Sequence, residues 1–222
     1  WESGRAARVY RAERKPAITD TPVPRFELLD LSAYASMALQ FSRGCPFDCE
    51  FCDITKLYGR VPRTKSNAQM LAEFDRLHAL GWRGPVLLLE GAFEPRDLEL
   101  CSRLDLWHVV HCAAQIDWLA AHKTQAPHHV FLKMNSGMNR LGFTPEAFRA
   151  AWTRLDALPQ VGETALMTHF SDADGERGIA HQVAAFEAAT SDLPGERSLA
   201  NSAATLRHGI AADWVRAGIM SY

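Results

Sequence analysis

An α/β fold built on a parallel sheet is what this sequence predicts, and three observations predict it. Short apolar runs, each one strand long, recur along the chain. Stretches with helical periodicity or helix-start signals separate most of them. Each return to a parallel neighbour needs a crossover, so strand-helix alternation implies parallel strands. The runs are ALQFS (38–42), VLLLE (86–90), WHVVH (107–111), VFLKM (130–134), ALMTH (165–169), RSLAN (197–201) and GIMSY (218–222). They make about seven strands, one short of a closed (β/α)8 barrel.

The elements follow in order. Residues 1–26, with Pro22 and Pro24, read as an extended lead-in. ALQFS then runs into a cysteine-rich loop. Ser66 is a good N-cap for a helix whose apolar positions Met70, Leu71, Phe74, Leu77 and Leu80 recur at three and four, and Gly81 ends it. VLLLE is apolar without alternation, as in a strand covered on both faces. Further helices are expected over 113–123, over 145–157 behind Thr144-Pro145, and over 176–190.

Composition narrows the classes of function. The chain has 222 residues, 24 Lys and Arg against 26 Asp and Glu, and a formal charge of −2. That balance argues against a nucleic-acid binder, which carries a basic excess. With 47% hydrophobic and 23% charged residues the chain reads as a globular protein. No apolar run approaches the roughly 20 residues that cross a bilayer, so no membrane role is expected. The opening WESGRAARVYRAERK has neither an initiator Met nor the apolar centre of a signal peptide, and reads as the start of a fragment. The charge is uneven: residues 1–84 sum to +3 and residues 85–222 to −5, and eight of the nine histidines follow position 85.

Five cysteines are present, three of them packed into eight residues as Cys45, Cys49 and Cys52, with Cys101 and Cys112 standing alone. A secreted disulfide framework spreads an even number across a short chain. The pattern therefore points to a reduced, cytoplasmic protein with a metal or cluster site, and to Cys101 and Cys112 as neutral thiols. In GCPFDCEFCDI the three form a C-x3-C-x2-C array. Three thiolates on one loop can hold three corners of an iron-sulfur cube and leave one iron open. A zinc site would call for a fourth nearby Cys or His, and the nearest histidine is His78.

Together with TDTPVPRFELLDL and LYGRVPRTKS, this loop resembles the start of the radical S-adenosylmethionine (radical SAM) barrel found in proteins with an upstream cobalamin-binding domain. The resemblance implies a 4Fe-4S cluster on Cys45, Cys49 and Cys52, with S-adenosylmethionine on the open iron. The strand that should complete that site is missing. PVLLLEGAFEP offers only Glu90 and Gly91 in its place.

From residue 85 onward a second resemblance takes over. VLLLEGAFEPRDL, VFLKMNSGMNRLGF, LMTHFSDAD, SLANSAATL and DWVRAGIMSY are similar, in order and spacing, to the barrel domain of alanine racemase. That family is a pyridoxal-phosphate (PLP) isomerase acting on L- and D-alanine. The resemblance implies that Asn201 and Ser202, with backbone from Gly218 and Ile219, line the phosphate pocket, and that Arg216 donates to the pyridine nitrogen. It implies that Arg140 lies near the phenolic oxygen and the substrate carboxylate, and that Lys133 is a lysine carbamylated in many members. His169 would link Arg216 to the catalytic tyrosine. Arg140, His169 and Lys133 are supporting residues, because no catalytic pair is complete. Asn135-Ser136 stands where many members have Asp-Thr. His108, His111, His128 and His129 have no ligand-like arrangement and read as loop or barrel-lining groups.

The family's Schiff-base lysine lies in a Lys-Ala-Asn-Ala-Tyr-Gly-His-like motif on its first strand, and no such motif occurs here. Its opposite-face tyrosine comes from a C-terminal domain, ahead of which this chain stops at Tyr222. Two-base racemisation needs an acid and a base on opposite faces of the α-carbon. The expected organisation is a lead-in (1–26), a radical SAM-like β/α segment (27–84) and a racemase-like barrel (85–222). The result is a hybrid, incomplete (β/α)8 TIM-type barrel that does not racemise alanine. A designed chimera, a natural fusion and an assembly error each produce such a junction. The alternatives are a radical SAM fragment and a non-catalytic hybrid barrel. The open edges of a seven-stranded barrel leave room for a homodimer.

Overall fold

A computed structural model of the chain describes residues 15–33, 37, 39–44, 58–124, 126–210 and 212–216. The chain divides after Gly84 into two compact units, Trp1–Gly84 and Pro85–Tyr222.

In the first unit, strands β1 (Ser42–Arg43) and β2 (Arg63–Thr64) pair antiparallel, followed by helix α1 (Asn67–Ala79). ALQFS was expected to open a parallel sheet, and Gly44 explains why its described end does not. At φ +98° Gly44 turns the chain sharply, and a Cβ there would lie 2.4 Å from the Val61 carbonyl oxygen. Glycine alone lets residues 61–64 return that closely. The lead-in differs as well, forming short 3-10 turns at Ile18–Asp20 and Phe26–Leu28 with Ile18 and Phe26 buried. Gln69 Nε2 holds it by donating to the carbonyls of Thr19 (2.9 Å) and Thr21 (3.2 Å).

Helix α1 starts where its cap predicts. Ser66 Oγ accepts from the Gln69 backbone at 3.2 Å, and the Gln69 side chain accepts from the Ser66 backbone at 3.0 Å, a reciprocal capping box. Its buried face is not the purely apolar stripe expected. Leu71 is exposed, whereas Glu73 is buried and meets the buried Lys65 ammonium at 2.5 Å.

The second unit is a parallel sheet in the order β3 (Val86–Leu88), β4 (Leu106–Val110), β5 (His128–Lys133), β6 (Val161–Met167), β7 (Arg197–Ser198). Every neighbour in space is the neighbour in sequence, the order of a barrel wall. Five strands join this sheet among the described residues, a curled half-barrel rather than seven strands. The predicted strand GIMSY lies outside the described residues. Helices α2 (Asp97–Arg103), α3 (Ala113–Ala121), α4 (Pro145–Asp156), α5 (Ala180–Thr190) and α6 (Ser202–His208) complete the unit, α2 and α6 being additional to those expected.

From β4 to β6 both faces of the sheet carry buried apolar residues, whereas VLLLE, expected to be covered on both faces, is only half-buried and its Leu89 is exposed. Val110, Val130, Leu132 and Leu166 face the helices and join Ile116, Leu119, Phe148, Leu155 and Phe186 in the main core. Val109, Phe131, Ala165 and Met167 occupy the other face, with Leu87, Trp107 and Trp214 against them. Helix α4 shows how the pattern works. Thr144 caps it by accepting from Ala147, Pro145 occupies the first turn, and Phe148, Ala151 and Leu155 form the buried stripe. Among the described residues no helix is long and apolar enough to cross a membrane.

Candidate functional site

Strands β5, β6 and β7 end on one rung, Lys133 opposite Met167 and Met167 opposite Ser198. The chain segments that follow this rung carry polar and basic residues. Ligand sites of parallel sheets assemble at this carboxyl end, because the loops that leave the strands converge there.

Four basic side chains gather at it. Lys133 closes β5, Arg140 sits on the loop after β5, and His169 follows β6. Arg216 arrives beside β7, its backbone N–H donating to Ala200 O at 3.0 Å. Burial first, and then Arg140, pushes the Lys133 ammonium down to about 8; Arg216 acts in the same direction and Glu90 against it. Burial, then Arg216, Arg140 and Lys133, holds His169 down at about 3. Burial and Arg140 lower the Arg216 guanidinium to about 10. In Lys133, His169 and Arg216 burial disfavours the charged form first, and neighbouring cations add to it. An anionic ligand would relieve this.

The Arg216 guanidinium is anchored on three protein acceptors. Nη1 donates to Ser198 Oγ, and Nη2 donates to the carbonyls of Thr168 at 2.5 Å and Leu199 at 3.1 Å. Thr168 is itself fixed. Its hydroxyl donates to Met134 O at 3.1 Å and stands 2.7 Å from Ser136 Oγ, so Ser136 is the donor of that pair. Ser136, Thr168 and Ser198 are all buried. Sequence reasoning did not single out Thr168 or Ser198, and a Ser or Thr at a strand end has no spacing that would reveal such a role.

Asn135 shapes the loop that carries Arg140. Its Oδ1 accepts from the backbones of Gly137 (3.2 Å) and Asn139 (2.9 Å), and its Nδ2 donates to Asn139 Oδ1 at 3.1 Å. The last of these needs an amide, so Asn does here what a carboxylate could not. Asn201 caps α6 by accepting from Ala204 N at 3.0 Å, and its Nδ2 donates to Phe170 O at 3.0 Å. Ser202 is the first residue of that helix. Asn201 and Ser202 thereby stand at a helix start beside the same strand ends.

Other expected site residues fall elsewhere. Cys45, Cys49, Cys52, Gly218 and Ile219 lie outside the described residues. Among the described residues no group of three or more His, Cys, Asp or Glu could hold a metal ion. Cys101 is buried, and burial pushes its thiol up to about 11, a neutral thiol as expected. His108 and His128 are neither loop nor barrel-lining groups. They form a buried pair, Nε2 to Nδ1 at 3.2 Å, with His108 on the helix-facing side shared by Val110. His129 stacks on Trp107 with ring centroids 5.1 Å apart, on the opposite face.

Comparison with known proteins adds a second line. A family model described as "Alanine racemase, N-terminal domain" matches residues 67–222. The match starts in α1, ahead of the boundary at 85 that the motifs suggest. The chain is 77% identical over 156 residues to an alanine racemase of Acidovorax sp. (strain JS42), covering 68% of this chain and 43% of that protein. It is 76% identical over 156 residues to an alanine racemase of Methylibium petroleiphilum, with 68% and 42% covered. The crystal structure of the biosynthetic alanine racemase from Pseudomonas aeruginosa superposes with a TM-score of 0.62 at 40% identity, covering 68% of this chain and 43% of that one. The chain therefore spans well under half the length of these relatives.

Proposed function

We propose a function from one premise: this chain belongs to the alanine racemase family, as its N-terminal domain. On that premise it forms the PLP-holding wall of an amino-acid racemase barrel whose substrate is alanine. The observation that carries the reading is the convergence of Lys133, Arg140, His169 and Arg216 at the ends of β5–β7, with Glu90 as the carboxylate that bears on Lys133. PLP brings a phosphate, a phenolic oxygen and a ring nitrogen, and an amino acid brings a carboxylate, so this donor set fits both. Bound there, PLP would supply an electron sink for the pair left when an α-proton departs.

The chain's own residues divide the remaining work. Arg216 would donate to the lone pair of the ring nitrogen without giving up its proton, because a guanidinium holds that proton far more tightly than a pyridine does. His169 stays neutral at physiological pH, so it can accept from one neighbour while donating to another. Lys133 is partly free amine near pH 8 and can add carbon dioxide: the nitrogen lone pair forms the N–C bond, a proton leaves to solvent, and the carbamate anion faces Arg140. Asn201 and Ser202 would take the phosphate, and the family resemblance adds backbone from Gly218 and Ile219, which lie outside the described residues.

No Lys-Ala-Asn-Ala-Tyr-Gly-His-like motif precedes residue 67. We therefore propose that this polypeptide by itself holds PLP reversibly and does not racemise alanine. A cysteine segment lying ahead of the racemase match supports a second proposal, that Cys45, Cys49 and Cys52 hold a 4Fe-4S cluster able to bind S-adenosylmethionine.

PLP titration followed by borohydride reduction tests the first reading. The expected result is saturable binding with no labelled lysine. Absence of binding overturns the PLP reading, a stably labelled lysine overturns reversible holding, and D-alanine formed from L-alanine overturns inactivity.

A further inference from the structure

We infer that Ser198 is a positioning residue that, with the Thr168 and Leu199 carbonyls, turns Arg216 into a donor for a single lone pair. A guanidinium offers two forked edges to a carboxylate or phosphate, one from Nε and Nη2 and one from Nη1 and Nη2. Each edge needs one Nη2 hydrogen. Nη2 carries two hydrogens and donates to two carbonyls, Thr168 O at 2.5 Å and Leu199 O at 3.1 Å, one hydrogen for each acceptor by count. Neither fork is available. Ser198 Oγ takes one of the Nη1 hydrogens, which leaves, among the described residues, the Nε hydrogen and one Nη1 hydrogen, each able to make a single bond.

The clamp is built into the sheet rather than laid over it. Thr168 N donates to Ser198 O at 3.1 Å, so the two residues are fixed across the ends of β6 and β7. The Ser136-to-Thr168-to-Met134 hydroxyl relay ties the same point to the end of β5. Ser198 is 1% exposed, so its hydroxyl has no bulk water to replace the guanidinium. An arginine held this way selects an aromatic ring nitrogen over the carboxylate or phosphate that a free arginine prefers. This keeps the phosphate end of the cofactor on Asn201 and Ser202 and leaves the substrate carboxylate to Arg140. The inference rests on the PLP reading for the identity of the ring, but not for the clamp.

Two measurements on the 222-residue chain test it, using Ser198→Ala, which removes the acceptor, and Ser198→Thr, which keeps a hydroxyl. The first is NMR of the guanidinium N–H groups in ligand-free, 15N-arginine-labelled protein. Arg216 should show separate, slowly exchanging Nη signals that collapse in Ser198→Ala and return in Ser198→Thr. Unchanged signals in Ser198→Ala overturn the clamp. The second compares binding of PLP with its 1-deaza analogue, which lacks the ring nitrogen. The unsubstituted chain should prefer PLP by about tenfold, the ratio that ~1.4 kcal/mol confers, and Ser198→Ala should lose most of that preference. An equal preference in both overturns the positioning role. Failure of the unsubstituted chain to bind either ligand overturns the PLP reading instead, and the guanidinium signals then decide the clamp alone.

Discussion

Lys133 is pressed from two sides: burial withholds water from its ammonium, and Arg140 and Arg216 repel it, against the pull of Glu90. Its pKa near 8 makes a free amine available under mild conditions. Incubation with 13C-bicarbonate should therefore give a carbamate resonance that grows as pH rises from 7 toward 8.5. Lys133→Gln should abolish it and Arg140→Ala should weaken it, since the carbamate loses its cationic neighbour. A signal untouched by Lys133→Gln would refute the assignment. The sequence made Lys133, Arg140, His169 and Arg216 legible because their motifs are long and ordered. It did not reveal the acceptors that hold Arg216. Two of the three are backbone carbonyls, which every residue type presents alike, and the third is a serine whose role depends on the β6–β7 register.

At the level of the elements, β4 and β5 carry a cost that depends on acid. His108 is held down at about 3 and His128 at about 4, in both cases chiefly by burial and then by neighbouring imidazoles. The unfolded chain takes up these protons near pH 6.5 and the folded chain does not. Stability is therefore full above pH 6.5 and falls as pH drops toward 3. His108→Leu combined with His128→Leu should flatten the fall in melting temperature between pH 6.5 and 4.5, while parallel curves for the two proteins would show that other groups govern it. The turn after β3 is sensitive in a different way. Gly91 has φ +72°, and a Cβ there would lie 2.0 Å from the Val109 carbonyl oxygen, whereas Gly209, at φ +59°, has nothing within 4 Å. In urea unfolding Gly91→Ala should cost about 3 kcal/mol or more and Gly209→Ala only about 1 kcal/mol. The helices with clear caps, α1 and α4, were legible to within a residue or so. Helices α2 and α6 were not, because seven residues give too few turns for a periodic stripe.

At the scale of the whole molecule, the residues of the two proposed chemistries do not overlap in sequence. The racemase match begins at residue 67, all three clustered cysteines precede it, and all the proposed PLP residues follow it. The charge divides in the same direction, +3 before residue 85 and −5 after it. If each segment carries its own cofactor, substitutions should separate the two. Anaerobic reconstitution should load about four iron per chain with broad absorbance near ~400 nm. Cys49→Ala should lose that iron and keep PLP affinity unchanged, while Arg216→Ala should weaken PLP and keep the iron. Loss of both cofactors in both variants, with folding intact by circular dichroism, would mean that one site depends on the other. Iron retained in Cys49→Ala would remove the cluster assignment. Among the described residues, the β5–β6–β7 ladder by itself sets the rung of Lys133, Met167 and Ser198, and the proposed PLP residues stand on the segments that follow it. The binding half of this double test therefore does not require the barrel to be closed.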